Sequence, residues 1–120
     1  MTNIDENHIL FIEPKHSPTD PIIDDYTRRV TAAWRARVDS KTRYRGQHSC
    51  TGRGCKAMSG NGEHTVGGGR FETNSLAIHY IACHRAEVPA EELAKIMTLP
   101  PSDVEPSAGE VGGDWRACDP

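Results

Sequence analysis

Cys50 and Cys55 enclose the short stretch TGRG, and after 23 intervening residues His79 and His84 repeat the same spacing, in HYIACH. Two thiols at C-x₄-C and two imidazoles at H-x₄-H are a donor set for tetrahedral zinc, in which one pair sits on a tight turn and the other on a helix. Such a site holds the chain together when all four ligands come from protein. It does chemistry when one position is left to water and a carboxylate stands by as base. The alternatives for the same residues are two buried thiols with two core histidines, or a Cys50–Cys55 disulfide.

The fourth ligand has a competitor. On an ideal helix, residues five apart point about 140° from one another and residues four apart about 40°. Straight geometry therefore pairs His79 with Cys83. Cys83 also falls in line with Leu76 and Tyr80, the place of a small core residue. The helix must stop before Val88-Pro89, and a loosened last turn would bring His84 round. His84 is preferred, with Cys83 the named alternative. His8 and His16 read as surface residues, and His48 and His64 as solvated loop histidines close to the site.

Catalytic signatures are missing. There is no H-E-x-x-H, and no H-x-E paired with P-C-x-x-C. Glu87, one turn beyond His84, is the candidate carboxylate on that helix, read as an acceptor orienting an imidazole rather than as a base. The glycine triplet at 67–69 lacks the Lys-Ser/Thr of a phosphate loop and reads as a turn.

The block TNSLAIHYIACHRAEVP, with RGQHSC upstream, resembles small bacterial or phage zinc-binding proteins of unassigned function. These carry a cysteine pair and an N-S-L-x-x-H-Y-x-x-x-H-R-x-E-V-P helix. The likeness spans roughly residues 43–97. It implies that His79 and His84 occupy the histidine positions and that Cys83 falls at a variable one. The C-x₄-C spacing is wider than that family's knuckle, and the likeness carries no activity with it.

The elements that must position these ligands follow from periodicity and punctuation. HILFIEP at 8–14 is a short apolar run stopped by proline, expected as a buried strand. Asp20-Pro21 has the form of a helix start. Ile23, Tyr26, Val30, Trp34 and Val38 then recur at helical spacing, predicting an amphipathic helix to about residue 38. RYRGQHSC reads as a second strand leading into a glycine knuckle at 51–54. MSGNGEHTVGGGRF reads as a loop, or as a hairpin closing on a short strand near 70–73. Thr73 or Asn74 then caps a helix through about residue 87 that is apolar almost all round and hence central. Pro89 opens another helix, in which Glu91 and Lys95 form an i,i+4 pair. From residue 100 the composition turns to Pro, Gly, Ser and acids, so 100–120 is expected to be a disordered tail with Trp115 and Cys118 as its sticky points.

The totals agree with a small domain that needs help. In 120 residues only 36% are hydrophobic, a thin supply for a core, and small domains of that kind often recruit a metal. No leader or membrane span is evident, so a cytoplasmic setting with reduced cysteines is expected. Net charge is −3, but residues 28–56 hold nine of the 14 Lys and Arg and a single acid, Asp39. Arg28, Arg29, Arg35, Arg37, Lys41, Arg43 and Arg45 are the candidate partner-binding face, for an acidic protein first and for nucleic acid second. Nothing in the pattern points to a small-molecule substrate or a membrane.

The expectation is a single α+β domain at 1–99, a short sheet or hairpin with a zinc knuckle packed on two or three helices, working as a non-enzymatic adaptor. A second reading is a phage- or mobile-element-type inhibitor of a host nucleoprotein complex, its acidic ends imitating nucleic acid. A third is a zinc-dependent hydrolase using Glu87.

Overall fold

The computed structural model describes residues 8–10, 12–39, 47–55, 57–61 and 64–112. It is a small α+β fold. The elements are α1 (Asp25–Arg35), β1 (Val38–Asp39), β2 (Gln47–Ser49), β3 (Met58–Asn61), β4 (His64–Val66), β5 (Phe71–Thr73), α2 (Leu76–Cys83), a 3₁₀ turn at Arg85–Glu87, α3 (Ala90–Met97) and α4 (Ala108–Val111). Strands β1, β4 and β5 form an antiparallel sheet in that order, and β2 and β3 form a separate hairpin.

Helix α2 is the hub. All eight of its residues are buried, as its unbroken apolar composition requires. Asn74 Oδ1 accepts from the Leu76 N–H at 2.9 Å, so Asn74 serves the helix start as expected. The main core gathers Val30 and Trp34 of α1, Val66 and Phe71 of the sheet, Ile78 and Ile81 of α2, and Ile96 and Leu99 of the α3 end. A second, smaller cluster of Cys50, Ala57, Leu76 and Tyr80 ties the β2–β3 hairpin to the other side of α2. Between β4 and β5 the chain turns through Gly67, Gly68 and Gly69, all at positive φ, which only glycine adopts without strain.

Four expectations need correction. Helix α1 begins after Asp24, not Asp20. The Asp24 carboxylate accepts from Thr27 N–H at 3.3 Å and takes both terminal nitrogens of Arg85, at 2.7 and 2.6 Å. Residues 19–22 instead run beside the end of α2, with Thr19 N–H on Cys83 O and Ile22 N–H on Ala82 O. Val38 leaves the predicted stripe and is 65% exposed, because the helix has already ended at Arg35. Thr27 and Thr31 are buried in its stead, and Thr31 donates its hydroxyl to Thr27 O at 2.7 Å.

The run at 8–14 forms no strand in its described residues. His8 makes one parallel bridge to Glu72, and Leu10 turns at φ 60°. That turn is held by Glu92 of α3, which accepts from the Leu10 N–H at 2.8 Å. Glu92, not Glu91, is also the partner of Lys95, at 2.8 Å.

The fourth correction concerns the tail. Residues 100–112 pack on the fold and include α4, which opens with a capping box between Ser107 and Glu110. Glu110 is buried and its carboxylate meets the Arg35 guanidinium at 2.7 Å. Burial pushes the Glu110 carboxyl up, but Arg35 and the Ser107 N–H outweigh it and leave it below the usual glutamate range. Trp115 and Cys118 lie outside the described residues.

The Arg35–Glu110 contact gives the segment a measurable role. Removing residues 100–120 should lower the melting temperature by about 8 °C or more, the shift for roughly 2 kcal/mol in a small domain, read by thermal circular dichroism. The Glu110 carboxyl is depressed, so its contribution is present above the usual glutamate range and is lost as pH falls through the lowered value. The difference in melting temperature between the full and shortened chains should therefore shrink on acidification.

Candidate metal centre

The knuckle is the loop of the β2–β3 hairpin. Beyond Ser49 the ladder continues with the Cys50 N–H on Ala57 O at 2.8 Å. The chain then turns back on itself, with the Cys55 N–H on Gly52 O at 3.0 Å and Gly54 at φ 73°. Both thiols thereby face the C-terminal end of α2. At that end the helix breaks: His84 takes φ −127° and ψ 34° while its N–H still bonds to Tyr80 O. The break swings the His84 ring to the side of His79, with ring centroids 4.9 Å apart.

The donor atoms of Cys50, Cys55, His79 and His84 all lie within 4.8 Å of one another. Cys50 Sγ stands 3.3 Å from His84 Nε2, and Cys55 Sγ stands 3.2 Å from His79 Nε2. Sulfur and nitrogen on one edge of a tetrahedron around a zinc-sized ion are about 3.5 Å apart, from metal–ligand bonds of about 2.3 and 2.0 Å. Two edges of such a tetrahedron are already in place. Three of the four residues are buried and Cys55 is half-buried. Cys50, Cys55 and Cys83 are all thiols, with no disulfide among them.

Charge favours a cation here. Burial, and then the neighbouring Cys55, push the Cys50 thiol up to about 11. Two thiolates cannot coexist in this space without positive compensation, which a bound metal ion supplies. Burial holds His79 and His84 below the usual histidine range, so both are neutral lone-pair donors at neutral pH. The Tyr80 ring packs beside both histidine rings, and burial raises its hydroxyl as well.

The supports of the two imidazoles differ. His79 donates from Nδ1 to the Val111 carbonyl at 3.0 Å, which fixes its tautomer and leaves the Nε2 lone pair toward Cys55. His84 Nδ1 is buried and has no hydrogen-bond partner among the described residues. Its ring is held by shape: a Cβ on Gly52 would meet His84 Cε1 at 2.5 Å and the His16 carbonyl at 2.7 Å. Only glycine fits between them.

Cys83, the competing ligand, points away, and its thiol lies 3.8 Å from Val111 O. Glu87 reaches neither imidazole. Its carboxylate takes the N–H groups of Lys15 and His16 and the His16 ring at 2.7 Å. His16 is exposed, as expected, and the His64 ring packs edge-on against Trp34 at 5.1 Å.

The basic segment divides. Lys41, Arg43 and Arg45 lie outside the described residues. The four arginines of the helical part engage this chain. Arg29 pairs with Asp25 and bonds to the carbonyls of Met97 and Leu99, and Arg35 holds Glu110. Arg28 approaches Glu105 at 3.8 Å, and Arg37 stacks over Trp34 at 4.4 Å. Sequence reasoning missed three supports of the site: Gly52 as a close approach, Val111 as the acceptor for His79, and the 14–16 connector that backs the knuckle. Only the Ser107-x-x-Glu110 capping pattern offered a local signal, for the helix that carries Val111.

Compared with known protein families, curated proteins and solved structures, the chain matches none.

Two outcomes follow from the geometry. Metal binding near neutral pH should release about two protons per ion, one from each thiol, measurable by calorimetry in buffers of different ionisation enthalpy. Because the folded histidines resist protonation, metal-free stability should be full above the ordinary histidine range. It should be lost as pH falls through that range toward the lowered values.

Proposed function

We propose that the chain is a zinc protein whose metal is structural, and that it works as a non-enzymatic adaptor. The observation that supports a structural role is the donor set itself. Four protein ligands converge on one buried point, which leaves no position for a reacting water. Zinc is the metal favoured by two thiolates and two imidazoles in a tetrahedral arrangement. The ion would join the hairpin knuckle to the end of α2, adding to the small apolar cluster of Cys50, Ala57, Leu76 and Tyr80 that already links them.

The hydrolase reading lacks a base at the site, because the Glu87 carboxylate serves the 15–16 connector. For the adaptor role, the support is charge. With the helical arginines engaged internally, the stretch SKTRYRG at 40–46 carries three cations and no acid. An acidic protein surface is the partner it would steer by long-range attraction. Nucleic acid is the second choice, since the net charge is −3. The inhibitor reading would draw instead on the acidic ends of the chain, as an imitation of nucleic acid.

Protein purified without added metal should contain about one zinc per chain by elemental analysis, and a content near zero overturns the proposal. Cys50→Ser and His79→Ala should lose the ion and unfold the hairpin, since structural zinc contributes on the order of 10 kcal/mol. Cys83→Ala should keep the ion; loss of zinc there with retention in His84→Ala would reassign the fourth ligand. Reversing Lys41, Arg43 and Arg45 to Glu should leave zinc content unchanged and slow association with an acidic partner. Duplex DNA binding with a log–log salt slope of roughly −0.9 per lost contact would make nucleic acid the partner instead.

A further inference from the structure

On the opposite side of α1 from its core stripe, Ala32, Ala33 and Ala36 stop at Cβ and leave space that no other side chain fills. The β4–β5 turn closes one end of this space at Gly67 and Gly68, and the Pro100-Pro101 step closes the other. The result is a cavity of about 450 Å³. That volume falls within the roughly 300–1,000 Å³ of small-molecule sites. Its floor is set by packing: a Cβ on Gly67 would meet Leu99 Cδ2 at 2.9 Å, so the turn and Leu99 are in the closest contact two residues allow.

The polar groups of the cavity are of one sign. Arg29 and Arg70 line it, and no Asp or Glu does. The Arg29 side chain is 12% exposed, with Nε on Asp25 and Nη1 on the Met97 and Leu99 carbonyls, and among the described residues its Nη2 makes no hydrogen bond. The Arg70 guanidinium lies 5.0 Å over the Phe71 ring and reaches only the Thr98 carbonyl, at 3.5 Å. Among the described residues, no carboxylate lies within ion-pair distance of it. The two prolines offer no N–H, and the Thr98 hydroxyl donates to Lys95 O at 2.6 Å. The cavity is thus an apolar slot with guanidinium donors at its edge and no acceptor charge.

We propose that this cavity binds a small organic anion: an aromatic or aliphatic body against the alanines and prolines, with its carboxylate or sulfonate on Arg70 and Arg29. The apolar walls exclude a bare phosphate, which would find no donors there beyond the edge. The proposal is independent of the metal reading, because no ligand of the metal cluster lines the cavity.

Anilinonaphthalene sulfonate, a fluorescent apolar anion, tests it on the full chain as purified. One saturable site is expected, and N-phenylnaphthylamine, the same fluorophore without the sulfonate, should bind about tenfold more weakly, as should the sulfonate to Arg70→Glu. Ala36→Trp, at an exposed position, should abolish binding by filling the slot. Circular dichroism and metal content report the folding of each variant. If Arg70→Glu does not fold, Arg70→Gln and a salt titration of the parent carry the same comparison. Absence of probe binding, or equal affinity in parent and both variants, overturns the proposal. A dimer that the probe dissociates also overturns it, by placing a second copy in the slot.

Discussion

The close approach of Gly52 to His84 is the constraint on which the rest of the structure depends. A glycine with no room for a Cβ lies against the imidazole edge, and the same glycine lies against the His16 carbonyl. Three stretches far apart in the chain therefore meet at one point: the connector after Pro14, the hairpin knuckle and the break at the end of α2. Their backbones are joined there by the Arg53 N–H on His16 O at 3.2 Å and the Thr51 hydroxyl on Pro14 O at 2.7 Å. Glu87 closes the ring from the other side by taking the connector's amides. The cluster of donors is a product of this convergence, since none of the three stretches could hold its ligands alone.

The ligand set was legible because metal coordination leaves a short-range signature. Two pairs at matched spacing, one beside glycines and one on an apolar helix, can be read without knowing the fold. The turn at 67–69 was legible for a similar reason, as its glycine triplet suits positive φ, while the strand before it was not. The choice of His84 over Cys83 turned on a break in α2 that Val88-Pro89 announced a turn later.

What was not legible was decided at long range. Asp24 rather than Asp20 starts α1 because Arg85, 61 residues away, fixes its carboxylate. Leu10 leaves the extended conformation because Glu92, 82 residues away, binds its amide. The segment after residue 100 has the composition of a disordered chain, yet Arg35, 75 residues away, supplies the counter-charge that lets Glu110 be buried. In each case a charged side chain of one element sets the backbone of another. Composition and periodicity do not register such pairs, and arginines counted as a free basic face turn out to be the fasteners of the C-terminal segment.

The Val111 carbonyl accepts from His79 Nδ1 and lies beside the Cys83 thiol, and it stands 27 residues beyond His84, the last of the four donors. During synthesis the chain emerges in order, so every donor leaves the ribosome well before the group that orients one of them. Until Val111 follows, the His79 ring lacks the acceptor that orients it. Once Val111 arrives and α4 settles on α2, the His79 imidazole is fixed. The order of residues along the chain thus makes the orientation of His79 the last step in completing the donor cluster.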